Sequence, residues 1–193
     1  CERTKAKAEN KILSKEEIDL VTKTVRSRMT QNRYHGYFIL GYAILLSVET
    51  GMRVGELCAL KWDDVKADAI HIHAQQLMYK ENGRNYYYVD WTKEEKGISQ
   101  GGRRFPITIE IRNLLSEIKS VQDSLGIESE YVFCNREGRW IYTKAYSDCL
   151  RALCRSLGFQ VTNNHAFRMS LNSNVFIPLG IPVTERARLL GHS

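Results

Sequence analysis

The sequence predicts a mostly α domain carrying one small three-stranded antiparallel β-sheet. Three observations predict it. Apolar residues recur at helical spacing over most of the 193 residues. Two β-type runs, 69–79 and 85–92, flank "ENGR", whose Asn82-Gly83 is the strongest short hairpin cue. These runs lie together mid-chain, with helical pattern before and after, and no internal repeat or low-complexity tract interrupts them.

The elements follow in order. Residues 1–11 ("CERTKAKAENK") are polar and basic without periodicity and read as the end of a linker, which leaves 12–193 as the domain. Ser14 and Glu17 form a capping box, and Ile18, Val21, Val25 and Met29 mark one helix face behind it. "YHGYFILGYAILLSVET" is apolar nearly all round and predicts a central buried helix, broken at Thr50-Gly51. A short helix follows with Val54, Leu57 and Leu60 inward. "RRFPITI" (103–109) reads as the third strand, joined to the second by the polar "TKEEKGISQGG".

Helical pattern then returns. Ile111, Leu114, Leu115, Ile118, Val121 and Leu125 form one stripe. Tyr146, Cys149, Leu150, Leu153, Cys154 and Leu157 form another, stopped by Gly158. A helix from near Asn164 ends before Pro178, and a last one runs from Pro182 to Gly191.

Composition bounds the function. With 43% hydrophobic and 26% charged residues the chain buries an ordinary core. The net charge of +6 fits either a polyanionic partner or a solvated basic face. The longest apolar run, Phe38–Val48, contains Gly41, Tyr42 and Ser47 and is too short to span a bilayer. No signal peptide is evident, and a start at Cys1 reads as a fragment. Five cysteines match no metal-ligand spacing, so no metal is expected, and the thiols read as reduced in a cytoplasmic protein.

Two places draw chemical interest. Arg53, in "ETGMRVGELCALKWDDV", falls in the first turn of a helix, where the dipole disfavours a cation. Free N–H groups and a guanidinium together make a seat for an anion. A surface arginine paired with Glu49 or Glu56 is the plainer reading. In "NNHAFRMSL", Asn163 or Asn164 can cap a helix, and His165 and Arg168, at i and i+3, share a face of its first turn. The plainer reading there is a core histidine and a solvated arginine.

Order and combination sharpen these readings. "TGMRVGEL", a β region with a lysine-bearing turn, "HAFR" and "LLGHS" follow one another. This resembles the catalytic domain of the tyrosine recombinases, the phage-integrase family of site-specific DNA recombinases. The resemblance covers roughly residues 12–193 and rests on Thr50, Gly51, Arg53, Glu56, Leu57, Leu60, Trp62 and Asp64, on His165 and Arg168, and on Leu189 to Ser193. Met169 and Ser170 depart from the family's usual His-Thr. "WTKEEKG…RRFP" resembles the turn of conjugative-transposon integrases and picks Lys93, with Lys96 as the alternative.

The resemblance implies that a tyrosine hydroxyl attacks a DNA phosphodiester. It forms a 3′-phosphotyrosine and frees a 5′-hydroxyl, and two such rounds pass through a Holliday junction. No metal, cofactor or nucleotide is used. Arg53 and Arg168 neutralise the phosphate. His165 orients or deprotonates the nucleophile, Lys93 protonates the leaving oxygen, and His192 hydrogen-bonds the phosphate. In the family the nucleophile follows "LGHS" by about nine residues, whereas the last tyrosine here is Tyr146. The expectation is a truncated catalytic domain whose tyrosine lies beyond Ser193. Its implied partners are double-stranded DNA and further copies of itself, in a tetramer on DNA that exchanges C-terminal segments. It would integrate or excise a mobile element in a bacterial cytoplasm. A cleavage-incompetent DNA-binding relative is the alternative reading, and a type IB topoisomerase a more distant one.

Overall fold

Helix α2 (Ile39–Thr50) forms the centre, as its uniformly apolar sequence predicts; nearly every residue from Ile39 to Thr50 is buried. The computed structural model describes residues 12–91, 102–159 and 163–191. α1 (Lys15–Met29) packs against α2 through Val21 and Val25, both fully buried. Its start is the expected capping box: Glu17 N–H donates to Ser14 Oγ (3.2 Å), and Ser14 N–H donates to the Glu17 carboxylate (2.8 Å).

α4 (Ile109–Ser124), α5 (Thr143–Ser156) and α6 (His165–Leu171) also pack on α2. Ile111, Leu114, Leu115 and Ile118 of α4 are buried, as are Tyr146, Leu150, Leu153 and Cys154 of α5. α6 continues through a wider turn, Asn172–Phe176, and α7 (Val183–Leu190) follows, capped by Gly191. The short α3 (Val54–Ala59) leads to the β region.

The mostly helical architecture with a small antiparallel β region forms as the sequence predicts, but its ladders differ in detail. The run expected as one strand divides at His73 into β1 (Ala69–Ile72) and β2 (Ala74–Glu81). β2 pairs with β3 (Arg84–Trp91), Tyr79 opposite Tyr86, around a turn in which Asn82 and Gly83 both take left-handed conformations (φ 50° and 78°). β1 pairs with β4 (Arg103–Pro106), Ile72 opposite Arg103. The single three-stranded sheet is thus replaced by two two-stranded ladders. The partner changes where Gly102 closes on the Ile72 carbonyl: a Cβ at 102 would lie 2.5 Å from that oxygen. β4 is also shorter than expected, because Thr108 caps α4 by accepting from Ile111 N–H (3.3 Å). Among the described residues no helix is long and apolar enough to cross a membrane.

Candidate active site

Two helix ends and two helix starts meet beside α5. α2 ends at Gly51 in a left-handed conformation (φ 61°) and α7 ends likewise at Gly191 (φ 64°). α3 begins behind Arg53, its N-cap, and α6 begins behind Asn164. The cleft between them has a volume of ≈ 500 Å³ and is lined by Arg53, His165 and Arg168, with Asn163, Ser147 and Arg151 among its other polar walls.

Each arginine stands near a helix start and is met by the end of another helix. Arg168 is buried, 3% exposed, and its Nε donates to the Gly51 carbonyl (2.9 Å). Arg53 donates from Nη2 to the Gly191 carbonyl (2.6 Å) and pairs through Nη1 with Glu56 (3.0 Å). Carbonyls at a helix C-terminus carry partial negative charge, so they offset the unfavourable dipole at each arginine. Of Glu49 and Glu56, the ion pair goes to Glu56, which is 1% exposed. Burial alone would raise the Glu56 carboxyl, but Arg103, the Arg53 N–H and the Arg168 charge outweigh it and hold it below the usual carboxylate range.

Gly51 cannot readily be another residue. Its φ is positive, and a Cβ would sit 3.2 Å from both Arg168 Cα and Leu190 Cδ2. The "TG" before the arginine is therefore the point where α6 and α7 close on the end of α2.

Asn164 joins the two arginine-bearing segments. Its Oδ1 accepts from the Ser47 hydroxyl (2.6 Å) and from the buried Tyr146 hydroxyl, and its Nδ2 donates to the Met52 carbonyl (2.7 Å). The sequence suggests a helix-capping side chain here; instead no side-chain cap forms and the carboxamide ties α2, α5 and the Met52-Arg53 segment together. That role has no local sequence signal, because its three partners are far away in the chain. Sequence reasoning also missed Ser147 and Arg151 on the cleft wall; their i, i+4 spacing on the polar side of α5 is the signal that could have found them.

His165 is exposed on the cleft, not in the core, and Arg168 is buried, not solvated, which reverses the plainer reading of "HAFR". Lys93, Lys96 and His192 lie outside the described residues, as does the linker 1–11. Gly191 touches Arg53. The root of β2 packs on α3, where a Cβ at Gly55 would come within 2.7 Å of the Gln76 carbonyl. None of the ten tyrosines lines the cleft. Tyr146 approaches from behind, wholly buried, and burial pushes its hydroxyl well above the usual tyrosine range.

Solved structures share this architecture. The Tn1549 transposon integrase, in complex with transposon right end DNA, matches with a TM-score of 0.77 over 98% of this chain and 60% of that one, at 19% identity. XerA recombinase matches at 0.66 over 94% and 56%, with 20% identity. A lambda integrase from a tetramer bound to a Holliday junction matches at 0.60 over 100% and 50%, with 18% identity. The fold is thus one used by DNA integrases and recombinases. The chain belongs to the phage integrase family, whose sequence model matches residues 11–193. It is 24% identical over 202 residues to a "Tyrosine recombinase XerC-like" protein of Caldanaerobacter subterraneus subsp. tengcongensis, covering 98% of this chain and 49% of that protein. The chain spans about half the length of this curated relative.

Proposed function

We propose that this chain is the catalytic part of a site-specific DNA recombinase that integrates or excises a mobile element. The observation that carries the reading is the convergence of Arg53, His165 and Arg168 on one cleft. Three guanidiniums, of Arg53, Arg168 and Arg151, and two helix N-termini face a space that no acid lines among the described residues, which suits a phosphodiester.

In the proposed reaction a tyrosine oxygen attacks the scissile phosphorus and loses its proton, with His165 orienting or accepting it. The bond from phosphorus to the 5′-oxygen breaks, and Lys93 supplies the proton that leaves with that oxygen as a 5′-hydroxyl; Lys96 is the alternative donor. Arg53 and Arg168 neutralise the non-bridging oxygens, and His192 donates a hydrogen bond to one of them. The 5′-hydroxyl of a partner strand then loses its proton and attacks the 3′-phosphotyrosine, the bond from phosphorus to the tyrosine oxygen breaks, and that oxygen takes up a proton, which restores the phosphodiester and the free tyrosine. The balance needs no metal, cofactor or nucleotide. Since no tyrosine lines the cleft, the reading places the nucleophile after Ser193, about nine residues beyond His192. Double-stranded DNA and further copies of the protein, as a DNA-bound tetramer, are its partners.

The test uses the protein encoded by the complete gene on a nicked suicide substrate. Arg53→Ala and Arg168→Ala should each lower cleavage on the order of 10²–10³-fold or more, with site binding nearly intact. Cleavage by both variants at the parental rate would remove the assignment. A DNA-bound but uncleaved substrate with the parental protein would favour the binding-only reading instead.

A further inference from the structure

We infer that Arg103, to which the family boxes above attach no chemistry, is a positioning residue for the phosphate site. It works through Glu56 on Arg53, and through the Leu189 carbonyl on the end of α7. The inference rests on the reading of Arg53 as a phosphate ligand.

Arg103 is the first residue of β4, and its side chain is 5% exposed against a Glu56 side chain with no exposure at all. All three guanidinium nitrogens donate. Nη1 donates to Glu56 Oε1 (2.8 Å), Nη2 to Glu56 Oε2 (2.6 Å) and Nε to the Leu189 carbonyl (3.1 Å). The same two carboxylate oxygens hold Arg53: Oε2 accepts its backbone N–H (2.7 Å) and Oε1 its Nη1 (3.0 Å). Glu56 is therefore a bridge between two arginines, one inside the core and one facing the cleft. Arg103 fixes the plane of that bridge.

The second arm closes a ring. Leu189 lies two residues before Gly191, whose carbonyl accepts from Arg53 Nη2 (2.6 Å). Arg103 and Arg53 thus grip the last turn of α7 from two sides, just before His192 in the sequence. β4 itself is fixed by its ladder with β1, Arg103 opposite Ile72. One guanidinium so joins β4, the Arg53 segment and the end of α7.

A stability role alone does not require this arrangement. A buried ion pair is often replaceable by packed apolar side chains with no loss of stability. Apolar side chains would not hold the Glu56 oxygens or the Leu189 carbonyl. Lysine would keep the charge but not the planar fork that grips both oxygens at once.

Two variants of the complete gene product test this. Arg103→Lys should keep site binding within about threefold and slow suicide-substrate cleavage on the order of 100-fold, the cost of a displacement of about 1 Å at a reacting centre. In an Arg53→Ala background the same change should cost much less, because its main target is already gone. A methylphosphonate substrate, which removes one non-bridging charge, should narrow the gap between Arg103→Lys and the parent. Calorimetric melting of Arg103→Lys beside its cleavage separates positioning from folding: slow cleavage by a protein that is still fully folded at the assay temperature is expected. Parental cleavage by Arg103→Lys, or losses that multiply fully with Arg53→Ala, would overturn the inference. Parental cleavage by Arg53→Ala alone would instead remove the functional reading beneath it.

Discussion

Asn164→Ala should be among the most costly polar substitutions in the molecule. The carboxamide makes three bonds: from Ser47, from Tyr146 and to the Met52 carbonyl. Ser47 and Tyr146 are both 0% exposed and Met52 is 1% exposed, so water from the cleft, which Asn164 lines, replaces only part of what is lost. Each bond contributes about 1 kcal/mol net, which gives about 3 kcal/mol. The Ser47 hydroxyl can turn to the carbonyl one helical turn back, as serines in helices do, which recovers part of one bond. The expected loss is therefore about 2–3 kcal/mol. For a chain of this size that lowers the melting temperature by about 4–12 °C. Asn164→Asp keeps the acceptors but sets a carboxylate against the Met52 carbonyl. Its deficit should shrink in acid, where a protonated carboxyl donates to that carbonyl. Calorimetric melting of the three proteins from neutral to mildly acidic pH measures both effects. A melting temperature for Asn164→Ala within about 1 °C of the parent would refute the reasoning.

Three further outcomes are expected. Glu56 has a lowered carboxyl, so its contribution is complete above the unfolded value near 4.5 and disappears as pH falls through the folded one. Glu56→Gln should accordingly be less stable than the parent at pH 7, with the gap closing as the pH falls below the unfolded value; a gap independent of pH would contradict the assignment of charge. Arg151 borders the cleft and is paired at the surface with Asp148 (2.8 Å). Arg151→Ala should weaken DNA binding for all sequences alike and reduce the slope of log affinity against log salt by about 1. An unchanged slope would place Arg151 off the DNA. A substrate with sulfur at the 5′-bridging position needs little protonation to leave, so it should rescue Lys93→Ala; rescue of Lys96→Ala instead would move the general acid to that residue.

What the sequence made legible follows from how local each signal is. The capping box at Ser14, the apolar α2, the Asn82-Gly83 turn and the Gly191 stop are each decided within a few residues, and each formed. The division at His73 was hidden, because β1 and β2 are contiguous and extended, and only their distant partners at 103–106 and 84–91 tell them apart. The arginines of the cleft were legible as residue types in a recurring order. Their surroundings were not: Glu56, Arg103, Asn164 and the carbonyls of Gly51 and Gly191 meet across separations of up to 138 residues. A glutamate three residues after Arg53 was visible as an ion-pair partner. That the same carboxylate also meets a buried arginine 47 residues on was not.

The structure also changes what the two arginines say about function. A cation at a helix start is a local conflict, and a protein built only for stability would remove it. Here each conflict is retained and partly offset by a helix end, α2 for Arg168 and α7 for Arg53. Both helix ends need a left-handed glycine to deliver that carbonyl. Offsetting by carbonyl dipoles leaves the net charge of the guanidiniums in place, whereas a carboxylate beside each would cancel it. Arg53 does have such a carboxylate, but Glu56 is itself shared with Arg103. Among the described residues Arg53, Arg168 and Arg103 gather round one buried acid, Glu56, which leaves the region positive. A site preorganised in this way attracts a phosphate without rearrangement, and the basic balance of the whole chain, +6, extends the same attraction outward.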